Sequence, residues 1–211
     1  MEFTLRYSGT MLRPQVGRDA RLDEKHALRL DFHKQLQELW RTDPRLSPID
    51  PKTLQEPIPS EHMRFDVQRK ILSPAHAPLF GYLYQLRLNG FRFIPLVTEP
   101  MEARCQLAIR WGRPTKPGRI IFSGGDIDGR LKTLFDSLRM PHTPSELPAN
   151  IRGTDELCFC LLADDNVITK VSVESYRLLG DFPSDAHSEV DIDVTIRAVT
   201  PMLGTYSLLF D

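Results

Sequence analysis

The sequence predicts an α+β fold, in which a mixed β-sheet packs against two principal helices. Two observations lead to this class. Several short segments of the 211-residue chain alternate apolar and polar residues, as half-buried strands do, and only two carry the apolar spacing of an amphipathic helix. Helices and strands also do not alternate regularly along the chain, which argues against a doubly wound parallel sheet.

Composition is that of an ordinary globular protein. Hydrophobic residues make up 41% of the chain and charged residues 26%, and the net charge is −1. No stretch approaches the ~20 apolar residues that a transmembrane helix requires. The opening residues, MEFTLRYSGTMLRP, lack the apolar centre of a signal peptide. A cytoplasmic location without a membrane partner is therefore expected.

The three cysteines do not suggest a disulfide framework, because their number is odd and their spacing irregular. Cys158 and Cys160 could supply two zinc ligands, but the sequence contains no second pair to complete the site. We expect them to be small apolar residues on a buried strand.

The first elements are a strand over residues 3–7, ended by Gly9, and an amphipathic helix over 24–41, ended by Asp43 and Pro44. Residues 42–62 hold five prolines and no periodicity, which predicts a long loop or an insertion. Alternation returns on both sides of Asn89-Gly90, a dipeptide typical of two-residue hairpin turns. The same residues could instead end a short helix, but the hairpin is favoured.

The second half begins with a strand over residues 105–111. An apolar stripe then predicts a helix from Asp128 that Pro141 ends. Residues 141–155 form another proline-rich loop. Strands are predicted over 157–162, 167–175, 189–199 and 205–210, with a turn at 163–166. We interpret residues 1–211 as a single domain with insertions at about 42–98 and 141–155.

Positive charge concentrates between residues 101 and 140, where eight Arg and Lys residues accompany four acidic ones. A cluster of this kind is by itself most simply a solvated surface, and the whole chain is too near neutral to coat nucleic acid. As a local patch it supplies candidate contacts to DNA phosphates. These are Arg113, Lys116, Arg119, Arg130 and Lys132.

Asp126 and Asp128 stand at the start of the second helix, after two glycines. One of them could simply cap the helix, but one cap does not need two aspartates. Lys132 and Asp136 follow at intervals of four residues and so share a helix face with Asp128. Lys132 could bind a phosphate, or it could form an ion pair with Asp128 or Asp136.

A second acidic pair, Asp164 and Asp165, occupies the predicted turn at 163–166, where aspartate is also common for local reasons. Mg²⁺ prefers carboxylate oxygens and keeps several waters. Asp126, Asp128 and one member of the second pair would satisfy it. His142 is the histidine nearest to these residues in sequence, and a loop histidine is usually just exposed.

At these residues the sequence resembles the RusA-type Holliday-junction resolvases. Their signature is Asp-hydrophobic-Asp-Asn, a Lys four residues after the second Asp, an Asp four further on, and then an Asp-Asp pair. This chain matches it over about residues 104–178, except that Gly129 replaces the Asn and the loop before Asp164 is longer. The matching residues are Asp126, Asp128, Lys132, Asp136, Asp164 and Asp165.

The resemblance implies a RusA-like domain that cuts branched DNA, such as Holliday junctions, as a homodimer with Mg²⁺ (or Mn²⁺). The catalytic residues would then be Asp126, Asp128, Asp165 and Lys132. Asp164 would add to the metal ligands, and Asp136 would support them from outside the ligand set. Two other hypotheses remain open: a non-catalytic nucleic-acid-binding or phage accessory protein on the same fold, and a nucleotidyl- or glycosyl-transferase that uses the Asp-x-Asp pair.

Overall fold

The structure is a computed structural model that describes residues 1–11, 17–54, 56, 83–99, 103–114 and 127–198, with only the backbone at 127, 128 and 198. These residues contain seven strands and two helices. In chain order they are β1 (Glu2–Thr10), α1 (Arg18–Thr42), β2 (Leu86–Leu88), β3 (Phe91–Val97), β4 (Ala103–Arg113), α2 (Ile127–Leu138), β5 (Glu156–Leu162), β6 (Ile168–Arg177) and β7 (His187–Ala198).

The strands form two sheets, and each sheet mixes parallel and antiparallel pairs. The four-stranded sheet has the order β1-β7-β4-β6, in which only β4 and β6 are parallel. The three-stranded sheet has the order β2-β3-β5, in which β3 and β5 are parallel. The predicted α+β class with two principal helices is therefore confirmed, and the mixed sheet is present as two sheets.

Helix α1 packs on β5 and α2 through an apolar stripe with a period of four residues. Leu28, Phe32, Leu36 and Trp40 are each at most 5% exposed, and the Trp40 and Phe159 rings lie 5.1 Å apart. Burying one such side chain contributes about 1.5–3 kcal/mol. The stripe thus fixes α1 against the three-stranded sheet.

The sequence predicted the end of α1 correctly, but not its beginning. The helix begins at Arg18, six residues before the predicted start at 24. The apolar spacing could not reveal this start, because the first turns carry mainly charged residues. Its end is as predicted: Asp43 is extended, and its N–H donates to the carbonyl of Leu39 at 2.9 Å. Pro44 then has no N–H to continue the helix.

The predicted hairpin is confirmed where the structure describes it, since β2 and β3 pair across Asn89 and Gly90. Both turn residues have positive φ, at 50° and 81°, as a primed two-residue turn requires. Pro95 lies in β3 beyond the last residue paired with β2, so its missing N–H breaks no hydrogen bond there.

The two predicted insertions are not detached from the domain. Leu46, Ile49 and Leu54, in the first one, are at most 5% exposed and belong to the main core. The 141–155 loop is tied to the hairpin turn, because the N–H of Gly153 donates to the carbonyl of Asn89 at 2.9 Å. Much of the first insertion and the predicted strand over 205–210 lie outside the described residues.

The cysteine prediction is confirmed. Cys105, Cys158 and Cys160 are all free thiols and all buried. Burial raises the pKa of Cys105 to about 12, so this thiol stays protonated and inert at neutral pH.

Candidate metal centre

Asp164 and Asp165 lie directly after the buried strand β5. The last five residues of this strand are buried, and the N–H of Ala163 still donates to the carbonyl of Val97 at 2.8 Å. Asp165 then opens a single 3-10 turn that ends at Val167. The strand thus carries two adjacent carboxylates from the core to the surface, where Asp164 is half-buried and Asp165 exposed.

The two carboxyl groups interact with each other. The neighbouring carboxyl group of Asp164, together with burial, raises the pKa of Asp165. Burial acts to raise the pKa of Asp164 as well, but its interactions with Asp165 and the charge of His142 outweigh burial and lower that pKa. Two carboxyl groups with opposite shifts are a pair that favours one shared proton. A divalent cation would relieve the same repulsion.

The chain that follows α2 runs beside the end of β5. Arg139 forms a parallel bridge with Leu162. Nε2 of His142 lies 2.9 Å from the carbonyl oxygen of Ala163 and 3.8 Å from the carboxylate of Asp164. The aspartate pair therefore neighbours the C-terminal end of α2. His142 is exposed, as the sequence suggested, and it belongs to the surroundings of the pair.

Asp136, predicted to support the ligands from outside, lies in the last turn of α2. Its carboxylate pairs with the ammonium of Lys25 on α1 and, at 3.4 Å, with the guanidinium of Arg139. Its side chain is only 12% exposed, and its charge contributes to the raised pKa of Asp165. Asp136 is thus a buried, neutralised carboxylate close to the exposed pair.

Asp128 belongs to the opposite end of α2, in its first turn, and its side chain is not among the described parts. Asp126 lies outside the described residues. Asp136 follows Asp128 by eight positions, a rise of about 12 Å along the axis. No group of three His, Cys, Asp or Glu side chains within the described ranges could hold a metal ion. Convergence of Asp126, Asp128 and Asp165 therefore stays a prediction.

Lys132 is exposed on α2, one turn after Asp128. The ion pairs that Asp136 makes with described side chains go to Lys25 and Arg139 rather than to Lys132. Although Lys132 and Asp136 are one turn apart, α1 covers only the second of them. The ammonium group of Lys132 is consequently accessible to a phosphate.

Two of the arginines predicted to contact DNA are buried. Arg130 is 3% exposed and donates to the carbonyl of Met11 at 3.1 Å. Arg113 is 9% exposed, and its guanidinium donates to the carbonyl of Asp185 at 3.4 Å. Both side chains thus serve the fold. Lys116 and Arg119 lie outside the described residues.

A basic face on α1 meets the end of α2 and was not predicted from the sequence. Its members are Arg18, Arg21, Lys25 and Arg29. Their spacing of three to four residues over three turns is the signal that could have revealed a single face.

Comparison with protein-family models, with curated proteins and with solved structures gives no match to this chain. The resemblance to the resolvases therefore rests on the motif residues alone. Among the described residues, no helix combines the length and the apolar character that crossing a membrane requires.

Proposed function

We propose that this chain is a Mg²⁺-dependent, structure-specific endonuclease that cuts branched DNA such as Holliday junctions, with Mn²⁺ able to replace Mg²⁺. The observation that carries the proposal is the adjacent pair Asp164 and Asp165 directly after β5, whose carboxyl groups shift each other's pKa in opposite directions. The pair lies beside the end of α2, the helix that holds Asp128, Lys132 and Asp136. Two adjacent carboxylates that repel each other, one half-buried and one exposed, form a donor set that suits a hard divalent cation.

Each motif residue would have a distinct task. Asp126, Asp128 and Asp165 would hold the cation, and Asp164 would add a further oxygen. A bound Mg²⁺ would polarise a phosphoryl oxygen and lower the pKa of a coordinated water. Lys132, whose ammonium is exposed on α2, would bind the phosphate and stabilise the charge that develops on it. Asp136 keeps Lys25 and Arg139 in place behind the aspartate pair.

The remaining parts of the proposal concern partners. DNA would be bound through its backbone, with Lys132, Lys116 and Arg119 as contacts, so that affinity falls as salt rises. A cytoplasmic homodimer would present two cutting sites to the two strands of a junction. The burial of Arg113 and Arg130 assigns these two residues to the fold rather than to the DNA surface.

A cleavage assay tests the proposal. A labelled synthetic four-way junction is incubated with the full chain and Mg²⁺ or Mn²⁺, and a linear duplex of the same sequence serves as the substrate control. Asp165→Asn and Asp128→Asn should each reduce cleavage by at least roughly 100-fold while junction binding is retained. Asp181→Asn, which changes an exposed aspartate in the loop between β6 and β7, should cut normally. Full activity of either motif variant would overturn the proposal.

One observation favours a second function, a non-catalytic protein that binds branched DNA on the same fold. The charged groups near the end of α2 that act on the pKa of Asp165 are Asp136 and Arg139, whereas Asp128 lies in the first turn of the helix. If the two ends do not meet at one cation, the chain binds without cutting. Retained junction binding with no cleavage under either cation is the result expected for this function.

A further inference from the structure

A cavity of about 420 Å³ lies between the first half of α1 and the end of α2. It is far larger than the ~30 Å³ that one water molecule occupies. Two acidic side chains, Asp136 and Glu146, contribute to its lining. Five basic side chains do as well: Arg18, Arg21, Lys25, Arg29 and Arg139. The lining therefore has an excess of three positive charges.

The first two basic residues of α1 lie where a positive charge is unfavourable for the stability of the helix. Arg18 is the first residue of the helix and Arg21 belongs to its first turn, where the positive end of the helix dipole disfavours cations. Asp19 is the acid of that turn, and Gly17 supplies no side-chain cap. A merely solvated helix face would gain by the opposite order of charges. The arrangement suits a face that meets an anion.

Arg29 forms the buried side of the cavity and is 2% exposed. Its Nη2 donates to the carbonyl of Asp136 at 2.8 Å, and its Nε donates to the carbonyl of Arg139 at 3.3 Å. Its third nitrogen, Nη1, is buried and makes no hydrogen bond with the described residues. A buried donor without a partner is unfavourable, and an acceptor entering from the cavity would offset this cost.

The acids of the lining are already engaged. Asp136 pairs with Lys25 and Arg139, and Glu146 pairs with Arg139 at 2.8 Å. These ion pairs hold the ammonium group of Lys25 and the guanidinium group of Arg139 in fixed positions around the cavity. These two donors are thus ordered before a ligand arrives, which lowers the entropy lost on binding.

We propose that this cavity binds a phosphate group. Phosphate carries the negative charge that the lining lacks, and its oxygens accept hydrogen bonds from guanidinium forks and from an ammonium. The phosphate could belong to a DNA backbone or to a free phosphorylated ligand, and the experiment below separates the two. This site lies outside the residues predicted to bind DNA, and the inference does not depend on cleavage.

The first arm uses inorganic phosphate. The melting temperature of the full chain is measured in EDTA, in sodium phosphate and in sodium chloride of equal ionic strength. Phosphate should raise it specifically. The double variant Arg18→Ala/Arg21→Ala should lose most of this rise, since alanine favours the helix but removes two donors. The matched control, Lys34→Ala/Arg41→Ala, removes two exposed cations of α1 outside the cavity and should respond like the wild type.

Two further variants test phosphate binding if the variant Arg18→Ala/Arg21→Ala folds poorly. Arg18→Lys/Arg21→Lys retains both charges and should retain at least part of the phosphate response. Glu146→Gln removes one negative charge from the lining and should increase phosphate affinity several-fold. An equal response to phosphate in the wild type and in all of these variants would overturn the proposal.

The second arm uses a labelled four-way junction, again in EDTA, with binding followed by fluorescence anisotropy at several salt concentrations. If the cavity holds a backbone phosphate, Arg18→Ala/Arg21→Ala should weaken binding roughly tenfold or more and reduce the salt slope by up to about two. A phosphate response without this change assigns the cavity to a free phosphorylated ligand. Because EDTA excludes cleavage, loss of phosphate binding and failure of the nuclease proposal remain distinguishable results.

Discussion

Nη2 of Arg29 donates a 2.8 Å hydrogen bond to the backbone carbonyl of Asp136, while the Asp136 carboxylate is held by Lys25 and Arg139. Helix α1 thus contacts the last turn of α2 twice at Asp136, once at its backbone carbonyl and once at its carboxylate. The carbonyl groups at the end of a helix lack intrahelical donors, and a cation there also opposes the negative end of the dipole. Asp136 therefore lies in the lining of the cavity, and its charge also acts on Asp165.

Replacing Arg29 should destabilise the fold strongly. Arg29→Met keeps much of the side-chain volume but leaves the carbonyls of Asp136 and Arg139 without their charged donors. Hydrogen bonds to charged groups contribute about 1.5–3 kcal/mol each, and one of these two is long, so we expect a loss of about 3 kcal/mol in the free energy of unfolding. Urea titration measures it. Arg29→Lys, which can reach one carbonyl, should lose less, and a loss below about 1 kcal/mol for Arg29→Met would contradict the role.

Neutralising Asp165 should separate stability from metal binding. In Asp165→Asn the side-chain amide can donate to the Asp164 carboxylate, so the contact survives without its repulsion. Because the pKa of Asp165 is raised, its charge is unfavourable at neutral pH, and the variant should melt at the same or a higher temperature in EDTA. Mg²⁺ should raise the melting temperature of the wild type but hardly that of the variant. Asp181→Asn should keep the full Mg²⁺ response, and an equal response in both variants would argue against the site.

Stability should fall in mild acid because buried histidines resist protonation. Burial, with the charge of Arg29, lowers the pKa of His26 to about 4, below the ~6.5 of an unfolded chain. Between these values the unfolded state binds the proton and the folded state does not, so stability is complete above pH 6.5 and is lost as pH falls to 4. The loss from this group reaches up to about 3 kcal/mol.

Urea midpoints between pH 7.5 and pH 4 (roughly the window set by an unperturbed histidine) measure this slope. His26→Leu should flatten it. His33 gives a second test, because burial lowers its pKa too and its Nδ1 accepts the N–H of Phe159 at 2.9 Å. His33→Asn offers an acceptor that does not titrate and should also reduce the slope. A wild-type slope in both variants would show that other groups govern the acid response.

The hairpin turn should not tolerate a side chain at Gly90. Its φ is +81°, and a Cβ there would lie 2.8 Å from the carbonyl carbon of Gly153 in the 141–155 loop. A left-handed conformation costs an ordinary residue about 1–2 kcal/mol, and the clash adds to it. Gly90→Ala should therefore lower the free energy of unfolding by about 2 kcal/mol or more. Gly17→Ala, where nothing lies within 4 Å, is the matched control and should leave stability nearly unchanged in a urea titration.

Local patterns predicted the elements that local physics controls. Asn89-Gly90 favours positive φ at both residues, so this dipeptide was enough to predict the hairpin turn. The apolar stripe of α2, the end of α1 at Asp43 and the burial of the cysteines followed in the same way. The start of α1 at Arg18 was not predicted, because a helical turn made of charged residues has no apolar periodicity. The motif named Asp164 and Asp165 as a pair, and the two carboxyl groups influence each other's pKa at the end of β5.

Only tertiary contacts decided which residues surround that pair. The parallel pairing of β3 with β5 joins segments more than 60 residues apart, and no local preference specifies such a partner. At the end of β5, Arg139 and His142 lie beside this pairing. The contact of α1 with α2 buries Asp136 under Lys25, and Arg130 turns inward to the carbonyl of Met11 although Lys132, two residues later, faces solvent. A sequence determines where an element forms because the backbone responds to nearby residues. The packing of distant elements determines which charges become a site, because burial and charge neutralisation exist only once those elements meet.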